Sequence, residues 1–192
     1  MKSEPRVLSV NVALAQPLRS GDSLVLSAIG KRPVAGRIAV GPHGLEGDEQ
    51  ADHGVHGGVS RAVYAYPVQH YAFWQTVRAQ ARVGEWGDTL PHGFVGENLT
   101  LEGIDEGRVW IGDRLRFPDC VLAVNAPRDP CEKFDAVMGF SQAAKLMRQS
   151  GYCGFYLSVL VPGSIAAGER FAVEPGRRDV NVAELFEARW KR

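Results

Sequence analysis

A stretch rich in glycine, histidine and acidic residues occupies positions 41–58, and its residue types suit ligand chemistry. It contains three histidines, four acidic side chains and six glycines. Glycine lets a backbone approach a ligand closely, and exposed backbone amides can hold an anion. Loops of this length without regular structure are usually functional. The stretch therefore predicts a ligand-binding loop; the alternative is a polar loop whose glycines only form turns.

The same stretch also contains donors for a metal ion. Zinc could be bound by His53 and His56 together with Asp48 or Asp52. The spacing does not follow the HExxH pattern, and no strong fourth ligand accompanies these side chains. We keep a zinc site as an alternative interpretation.

A second reactive segment, positions 126–135, surrounds Cys131 with prolines and charges. Arg128 and Lys133 are close to it in sequence, and cationic neighbours favour the thiolate, which is the nucleophilic and metal-binding form. Cys131 is therefore the candidate reactive thiol, and a small buried apolar side chain is the alternative. Cys120 and Cys153 lie in or beside apolar strands and are predicted to be buried.

A third feature is the pair Glu97-Asn98 at the start of an apolar segment. A carboxyl and an amide side by side offer the donors and acceptors that could orient a heterocyclic ligand. The alternative is local: Gly96 forms a bulge, and Asn98 binds nearby backbone.

These residues must be positioned by a mainly β fold. Short apolar segments recur with turn signals between them, too many and too closely spaced for repeated βαβ units. Leu8, Val10, Val12 and Leu14 alternate with polar or small residues and predict a strand with one buried face. Further strands are predicted at Arg37–Val40, Arg61–Tyr66, Glu97–Leu101, Arg108–Ile111, Arg114–Phe117, Val121–Asn125, Phe155–Val161 and Arg170–Glu174. A closed or nearly closed β-barrel would leave few open edges.

Three helices interrupt the strands. The first is predicted between Pro67 and Gly84, and the second carries the apolar stripe from Val137 to Met147. A third is predicted at the C-terminal end, where Asn181 and Glu184 resemble a capping box.

Composition limits the class of protein. The chain has 192 residues, and its 22 basic and 22 acidic side chains cancel. A neutral chain of this size predicts one soluble domain without electrostatic attraction to nucleic acid or anionic membranes. Three cysteines without CxxC spacing argue against a disulfide framework. No signal peptide or bilayer-length apolar run is visible, so we expect a cytoplasmic protein.

The motifs together resemble the MOSC-domain family, named after the C-terminal domain of molybdenum cofactor sulfurase. The likeness is greatest to the bacterial stand-alone branch linked to resistance against 6-N-hydroxylaminopurine. It covers about residues 35–165, and its motifs occur in the family's order. They are Gly44-Leu45-Glu46-Gly47-Asp48, Gln50-Ala51-Asp52, His56-Gly57-Gly58, residues 61–66, residues 70–74, Val95-Gly96-Glu97-Asn98-Leu99, residues 111–114, residues 127–133, and Gly151 with Gly154-Phe155-Tyr156.

This resemblance implies a MOSC-type β-barrel over residues 1–176, followed at 177–192 by a linker and a short helix that is a truncated remnant of a three-helix extension. It also implies a bound molybdenum–pterin cofactor (molybdopterin) with Cys131 as its molybdenum ligand. The residues expected to contact the pterin or its phosphate are His56, Gly57, Gly58, Arg61, Glu97, Asn98 and Arg128.

The expected activity is the reduction of N-hydroxylated compounds such as hydroxylaminopurines, amidoximes and hydroxylamines. His56 or Asp52 would deliver the proton. The chain has no dinucleotide fingerprint or iron–sulfur spacing, so we expect a separate flavin or iron–sulfur reductase as electron donor. One alternative is a carrier of molybdenum cofactor, or of persulfide sulfur on Cys131. Another is a cysteine hydrolase using Cys131 and His56.

Overall fold

A computed structural model describes residues 4–51 and 58–190 of the chain. Within these residues the fold is mainly β with a smaller helical part, as predicted. The strands are β1 Arg6–Val12, β2 Gln16–Ser20, β3 Ser23–Ser27, β4 Arg32–Pro33, β5 Arg37–Gly41, β6 Gly44–Leu45, β7 Val63–Pro67, β8 Leu99–Glu102, β9 Arg114–Arg116, β10 Val121–Pro127, β11 Phe155–Val161, β12 Gly163–Ala166 and β13 Ala172–Glu174. The helices are α1 Tyr71–Gln80, α2 Glu132–Met138, α3 Ala143–Ser150 and α4 Val182–Trp190.

One large sheet organises the molecule. Its eight strands run in the order β13-β9-β10-β11-β7-β8-β1-β4, and all neighbours are antiparallel except β7 and β8, which are parallel. A three-stranded sheet, β12-β5-β6, and the β2–β3 hairpin accompany it. No described helix is long and apolar enough to cross a bilayer.

The predicted closed or nearly closed β-barrel is not confirmed, because strand pairing leaves the large sheet open among the described residues. The sheet curls so that β1 meets the segment preceding β13. The Val7 N–H donates to the Glu169 carbonyl at 2.8 Å, and Arg6 forms a bridge with Arg170. Gly168, with φ +88°, turns the chain at this point. Two more backbone hydrogen bonds join these segments, from the Gly168 N–H to the Val7 carbonyl at 2.8 Å and from the Phe171 N–H to the Pro5 carbonyl at 3.1 Å.

The predicted buried face of β1 is also wrong. Leu14 is 61% exposed, whereas Ser9 and Asn11 are buried. The register with β8 shifts between Val7 and Ser9, so simple alternation fails there. The buried polar side chains satisfy one another, since the Ser9 hydroxyl donates to Asn11 Oδ1 at 2.7 Å and Asn11 Nδ2 donates to the Thr100 hydroxyl at 3.1 Å.

The predicted second helix is two helices. Gly139 adopts φ +81° and ends α2, so the apolar stripe continues into α3 only after a break. The segment 108–111, predicted as a strand, forms only an isolated bridge from Trp110 to Asn181. The first and third helices are confirmed in α1 and α4.

The C-terminal helix α4 packs against the main core. Its predicted capping box is present: Asn181 Oδ1 accepts from the Glu184 N–H at 2.7 Å, and Glu184 Oε2 accepts from the Asn181 N–H at 3.0 Å. Val182 and Phe186 are buried members of the hydrophobic core. The segment before α4 is anchored too, because both oxygens of the buried Asp113 carboxylate accept from Arg178 Nη1 at 2.9 Å. The division of the chain at residue 176 stays a prediction.

Phe186→Ala should lower the free energy of unfolding by roughly 3–5 kcal/mol, because it removes a buried ring from the core. Glu187→Gln, an exposed substitution on the same helix, is the matched control and should change it by less than about 0.5 kcal/mol. Urea denaturation of both variants checks this. Equal stabilities would show that α4 docks without supporting the core.

Candidate functional site

A pocket lies where β3, β7, the segment 48–51 and the loops before β8 and after β10 meet. We call it the central pocket, and it encloses about 100 Å³. The lining residues used below are Lys31, Asp48, Arg61, Asn98, Arg128 and Cys131. Segments distant in sequence therefore supply one site.

Four of the predicted site residues, Arg61, Asn98, Arg128 and Cys131, line this pocket together. Gly58 lies beside it, since its N–H donates to the side chain of the lining residue Gln50 at 2.7 Å. Three further predictions, Asp52, His56 and Gly57, lie outside the described residues, as does His53 of the zinc alternative.

Of the chain's three cysteines, all described, Cys131 alone lines the pocket, because it joins the end of β10 to the start of α2. It is half-buried, whereas Cys120 and Cys153 are buried, as predicted. Burial raises the pKa of the Cys120 thiol to about 12 and that of Cys153 well above its usual range. Both therefore remain protonated and unreactive at neutral pH.

Arg128 brings a buried positive charge to the pocket. The residue is 5% exposed, and its guanidinium lies over the rings of Tyr64 and Phe134, 4.9 and 5.0 Å from their centroids. Its Nη1 donates to the Val95 carbonyl at 2.9 Å and to the Tyr64 hydroxyl at 3.4 Å. Burial alone would lower the pKa of Arg128, but the Tyr64 and Cys131 side chains hold it above its usual value. The group is therefore a permanent cation.

No carboxylate of the described residues forms a salt bridge with Arg128. Its sequence neighbour Asp129 is engaged elsewhere, with Arg189 at 3.0 Å. A buried cation without a counterion is unfavourable, and an anion in the pocket would offset that cost. Arg61 adds a second guanidinium, 5.5 Å from the centroid of the Tyr156 ring. The pocket therefore suits an anionic ligand.

Lys31 and Asp48 form a shielded ion pair in the pocket wall, with side chains 8% and 6% exposed. Asp48 is fixed from two other directions: Oδ1 accepts from the Ala13 N–H and Oδ2 from Asn98 Nδ2, both at 2.8 Å. Sequence reasoning missed Lys31, since nothing in the residues around it marks a ligand site. Both oxygens of Asp48 already accept hydrogen bonds, which argues against Asp48 as a zinc ligand. Among the described residues, no group of three or more His, Cys, Asp or Glu could hold a metal ion.

Asn98 is fully committed to protein contacts. Its Oδ1 accepts from the Tyr64 N–H at 3.0 Å, and its Nδ2 donates to Asp48 and to the Asn11 carbonyl at 3.2 Å. Asn98 thus positions the pocket wall through partners 34 to 87 residues away in sequence, and not through the nearby backbone of the structural alternative.

Glu97 lies beneath the pocket and is not part of its lining. Its Oε1 accepts hydrogen bonds from the Tyr71 hydroxyl, from the Gly93 N–H at 2.8 Å and from the Thr100 hydroxyl at 2.7 Å. Burial raises the pKa of this carboxyl above its usual value. The geometry therefore does not support the predicted ligand contact of Glu97; instead, the side chain holds the loop whose Val95 carbonyl binds Arg128.

Gly96 is required in that loop for a steric reason. It adopts φ +93°, and a Cβ atom there would lie 2.6 Å from Cγ1 of Ile29. A side chain at this position would push apart two segments that both line the pocket.

A sequence model of the MOSC domain matches residues 52–172. The chain belongs to the MOSC domain family. This confirms the predicted family, and the matched range contains Cys131, Arg128 and the Glu97-Asn98 pair.

Individual relatives share this MOSC domain. YflK of Bacillus subtilis is 36% identical over 92% of this chain and 76% of its own length, and YiiM of Escherichia coli is 35% identical over 85% and 71%. A protein of Gibberella moniliformis named "Reductase" is 32% identical over 86% of this chain but only 29% of its own length. The crystal structure of YiiM from Geobacillus stearothermophilus superposes with a TM-score of 0.77 at 28% identity, covering 97% of this chain and 84% of that one.

Arg128→Met should abolish stabilisation by an anion, because it removes the buried guanidinium, which has no carboxylate partner among the described residues. For the wild type, phosphate at 100 times its dissociation constant should raise the free energy of unfolding by about 2.7 kcal/mol. Thermal unfolding with and without phosphate measures this. Arg19→Met, an exposed substitution on β2, is the control and should respond like the wild type. Equal phosphate responses in all three proteins would contradict an anion site at Arg128.

Glu97→Gln should change how stability depends on pH. The folded state raises the pKa of Glu97 above its ordinary 4.5. The neutral Glu97 carboxyl therefore contributes to stability fully below pH 4.5, and this contribution is lost as pH rises through the folded pKa. Glutamine stays neutral throughout. The stability of the variant relative to wild type should therefore increase from about pH 4 to about pH 8, measured by urea unfolding. The exposed Glu102→Gln is the control; a constant difference for Glu97→Gln would show that Glu97 is ionised in the fold.

Proposed function

We propose that this MOSC-domain protein is a molybdenum-cofactor-dependent reductase of N-hydroxylated compounds, such as hydroxylaminopurines, amidoximes and hydroxylamines. The observation that carries the proposal is that Cys131 shares a pocket with the buried Arg128, which forms no salt bridge among the described residues. A thiol provides a soft metal ligand, and a cation suits the phosphate of a pterin cofactor. The fungal relative named a reductase supports redox chemistry within this family.

The donor set fits such a cofactor. Cys131 would supply the protein's sulfur ligand, and Arg128 with Arg61 would hold the anionic part. The cavity of about 100 Å³ is half open to solvent, so a ligand larger than the cavity could extend beyond it. When bound, the cofactor would supply the two-electron redox chemistry.

The chain's own residues would bind, orient and protonate the substrate. Tyr64 and Tyr156 present aromatic surface in the pocket, which suits planar substrates such as purine derivatives. Burial raises the pKa of both phenols, so they remain neutral hydrogen-bonding groups at neutral pH. His56 and Asp52, the proton donors expected from the sequence, lie outside the described residues.

The electrons would come from a separate flavin or iron–sulfur reductase, which makes this protein the terminal component. We propose that it acts in the reducing cytoplasm, where Cys131 would persist as a free thiol. Loading the protein with cofactor and supplying an artificial donor tests the proposal: turnover of an amidoxime supports a reductase, and stable cofactor binding without turnover would indicate a carrier.

Cys131→Ser should abolish reduction, because a hydroxyl is a hard and poorly ionised replacement for a soft thiolate. A loss of at least about 100-fold in turnover is expected, with a change in stability below about 1 kcal/mol because the residue is half-buried. Activity and melting temperature are measured on proteins reconstituted with the same cofactor supply.

Cys120→Ser and Cys153→Ser serve as matched controls. Each places a hydroxyl in an apolar site and should cost about 1 kcal/mol or more of stability while retaining activity in the folded fraction. Full activity in folded Cys131→Ser protein would remove its assignment as metal ligand.

A further inference from the structure

Lys31 is a buried amine in the pocket wall that none of the predicted roles uses. Its side chain is 8% exposed and lines the central pocket. Its ammonium donates to Asp48, and no second hydrogen-bond acceptor for it is found among the described residues. Because an ammonium carries three hydrogens, donors remain available to a bound molecule.

The surroundings of Lys31 include opposing charges. The Asp48 carboxylate is in contact, the buried Glu97 carboxyl lies farther away, and the Arg128 guanidinium repels the ammonium. Burial lowers the pKa of Lys31 below its usual value, although the Asp48 carboxylate raises it. An amine with a lowered pKa releases its proton more readily at neutral pH than an ordinary lysine.

Asp48 keeps the amine in place. Its oxygens are held by the Ala13 N–H and the Asn98 amide as well as by Lys31, so the carboxylate cannot swing away. Fixed geometry and an available proton at the pocket surface are the requirements for general acid catalysis.

We propose that Lys31 is the general acid that protonates the leaving oxygen during reduction of the N–O bond, an inference that rests on the proposed function. The overall reaction is R–NHOH + 2 e⁻ + 2 H⁺ → R–NH₂ + H₂O. Lys31 Nζ gives one proton to the hydroxyl oxygen, the N–O bond breaks, and the oxygen leaves as water. The second proton comes from solvent and forms the new N–H bond. The electrons come from the reduced molybdenum cofactor, and Lys31 regains its proton from solvent.

The first test needs no turnover. In protein labelled with ¹³C at the lysine side chains, the ε-carbon shifts of Lys31 and of the exposed Lys145 are followed against pH. We expect Lys31 to titrate at a lower pH than Lys145, and Asp48→Asn to move its titration lower still, because the raising influence of the carboxylate is lost. A titration of Lys31 at or above that of Lys145 would overturn the proposal, since the pair would then be an ordinary salt bridge.

The second test uses the cofactor-loaded protein. Lys31→Met removes the proton, and Lys31→Arg keeps the charge but holds its proton too tightly to donate it. Both should lower kcat by about 100-fold or more while retaining the cofactor, and Lys145→Met should leave kcat unchanged. In the wild type, kcat should fall as pH rises through the pKa of Lys31, since the protonated form is the active one.

The outcomes separate the two proposals. If the wild type turns over and kcat of both Lys31→Arg and Lys31→Met stays within about threefold of the wild-type value, the role of Lys31 is overturned. The reductase function then still stands. A loaded wild type without turnover would overturn the reductase function and the role of Lys31 with it. A large loss of kcat in both Lys31 variants with normal cofactor content supports both.

Discussion

The side-chain amide of Asn98 joins three distant parts of the chain, and the pocket depends on that junction. Through Tyr64 it reaches β7, through the Asn11 carbonyl it reaches β1, and through Asp48 it reaches the loop that follows β6. Each contact replaces water with a buried partner, which makes an unmade bond costly. The wall that carries Lys31 therefore has one defined arrangement.

Glu97, the neighbour of Asn98, holds the loop that precedes β8 in place. Three donors converge on one of its oxygens, while Oε2 is buried and without a partner among the described residues. Such a carboxyl is disfavoured as an anion, consistent with its raised pKa. By fixing Gly93 it also fixes the turn that offers the Val95 carbonyl to Arg128. Glu97 and Asn98 together therefore hold in place the two segments that contact the buried cations.

Local sequence patterns predict most elements of this protein but not the contacts between residues that are distant in sequence. The mainly β class, α1, the capped helix α4, the inert cysteines and the thiol at Cys131 follow from local patterns. The register shift in β1 makes the alternation of apolar and polar residues a wrong guide to its buried face. The break between α2 and α3 depends on the left-handed conformation of Gly139, which an apolar stripe does not reveal. Lys31 becomes a site residue only because the fold buries it beside Asp48, 17 residues away.

The distribution of charge gives a chain without net charge a local positive site. Several cations of the described residues form exposed ion pairs, such as Arg6–Glu102 and Arg116–Glu174, which contribute little to stability. Arg128 is instead desolvated and backed by aromatic rings, where the low local dielectric strengthens its field. Cys131 lines the same pocket as this cation, whereas Cys120 and Cys153 are buried in apolar sites, where burial raises the pKa of their thiols. Of the three cysteines, Cys131 is therefore the one placed where a bound ligand could reach both a thiol and a buried positive charge.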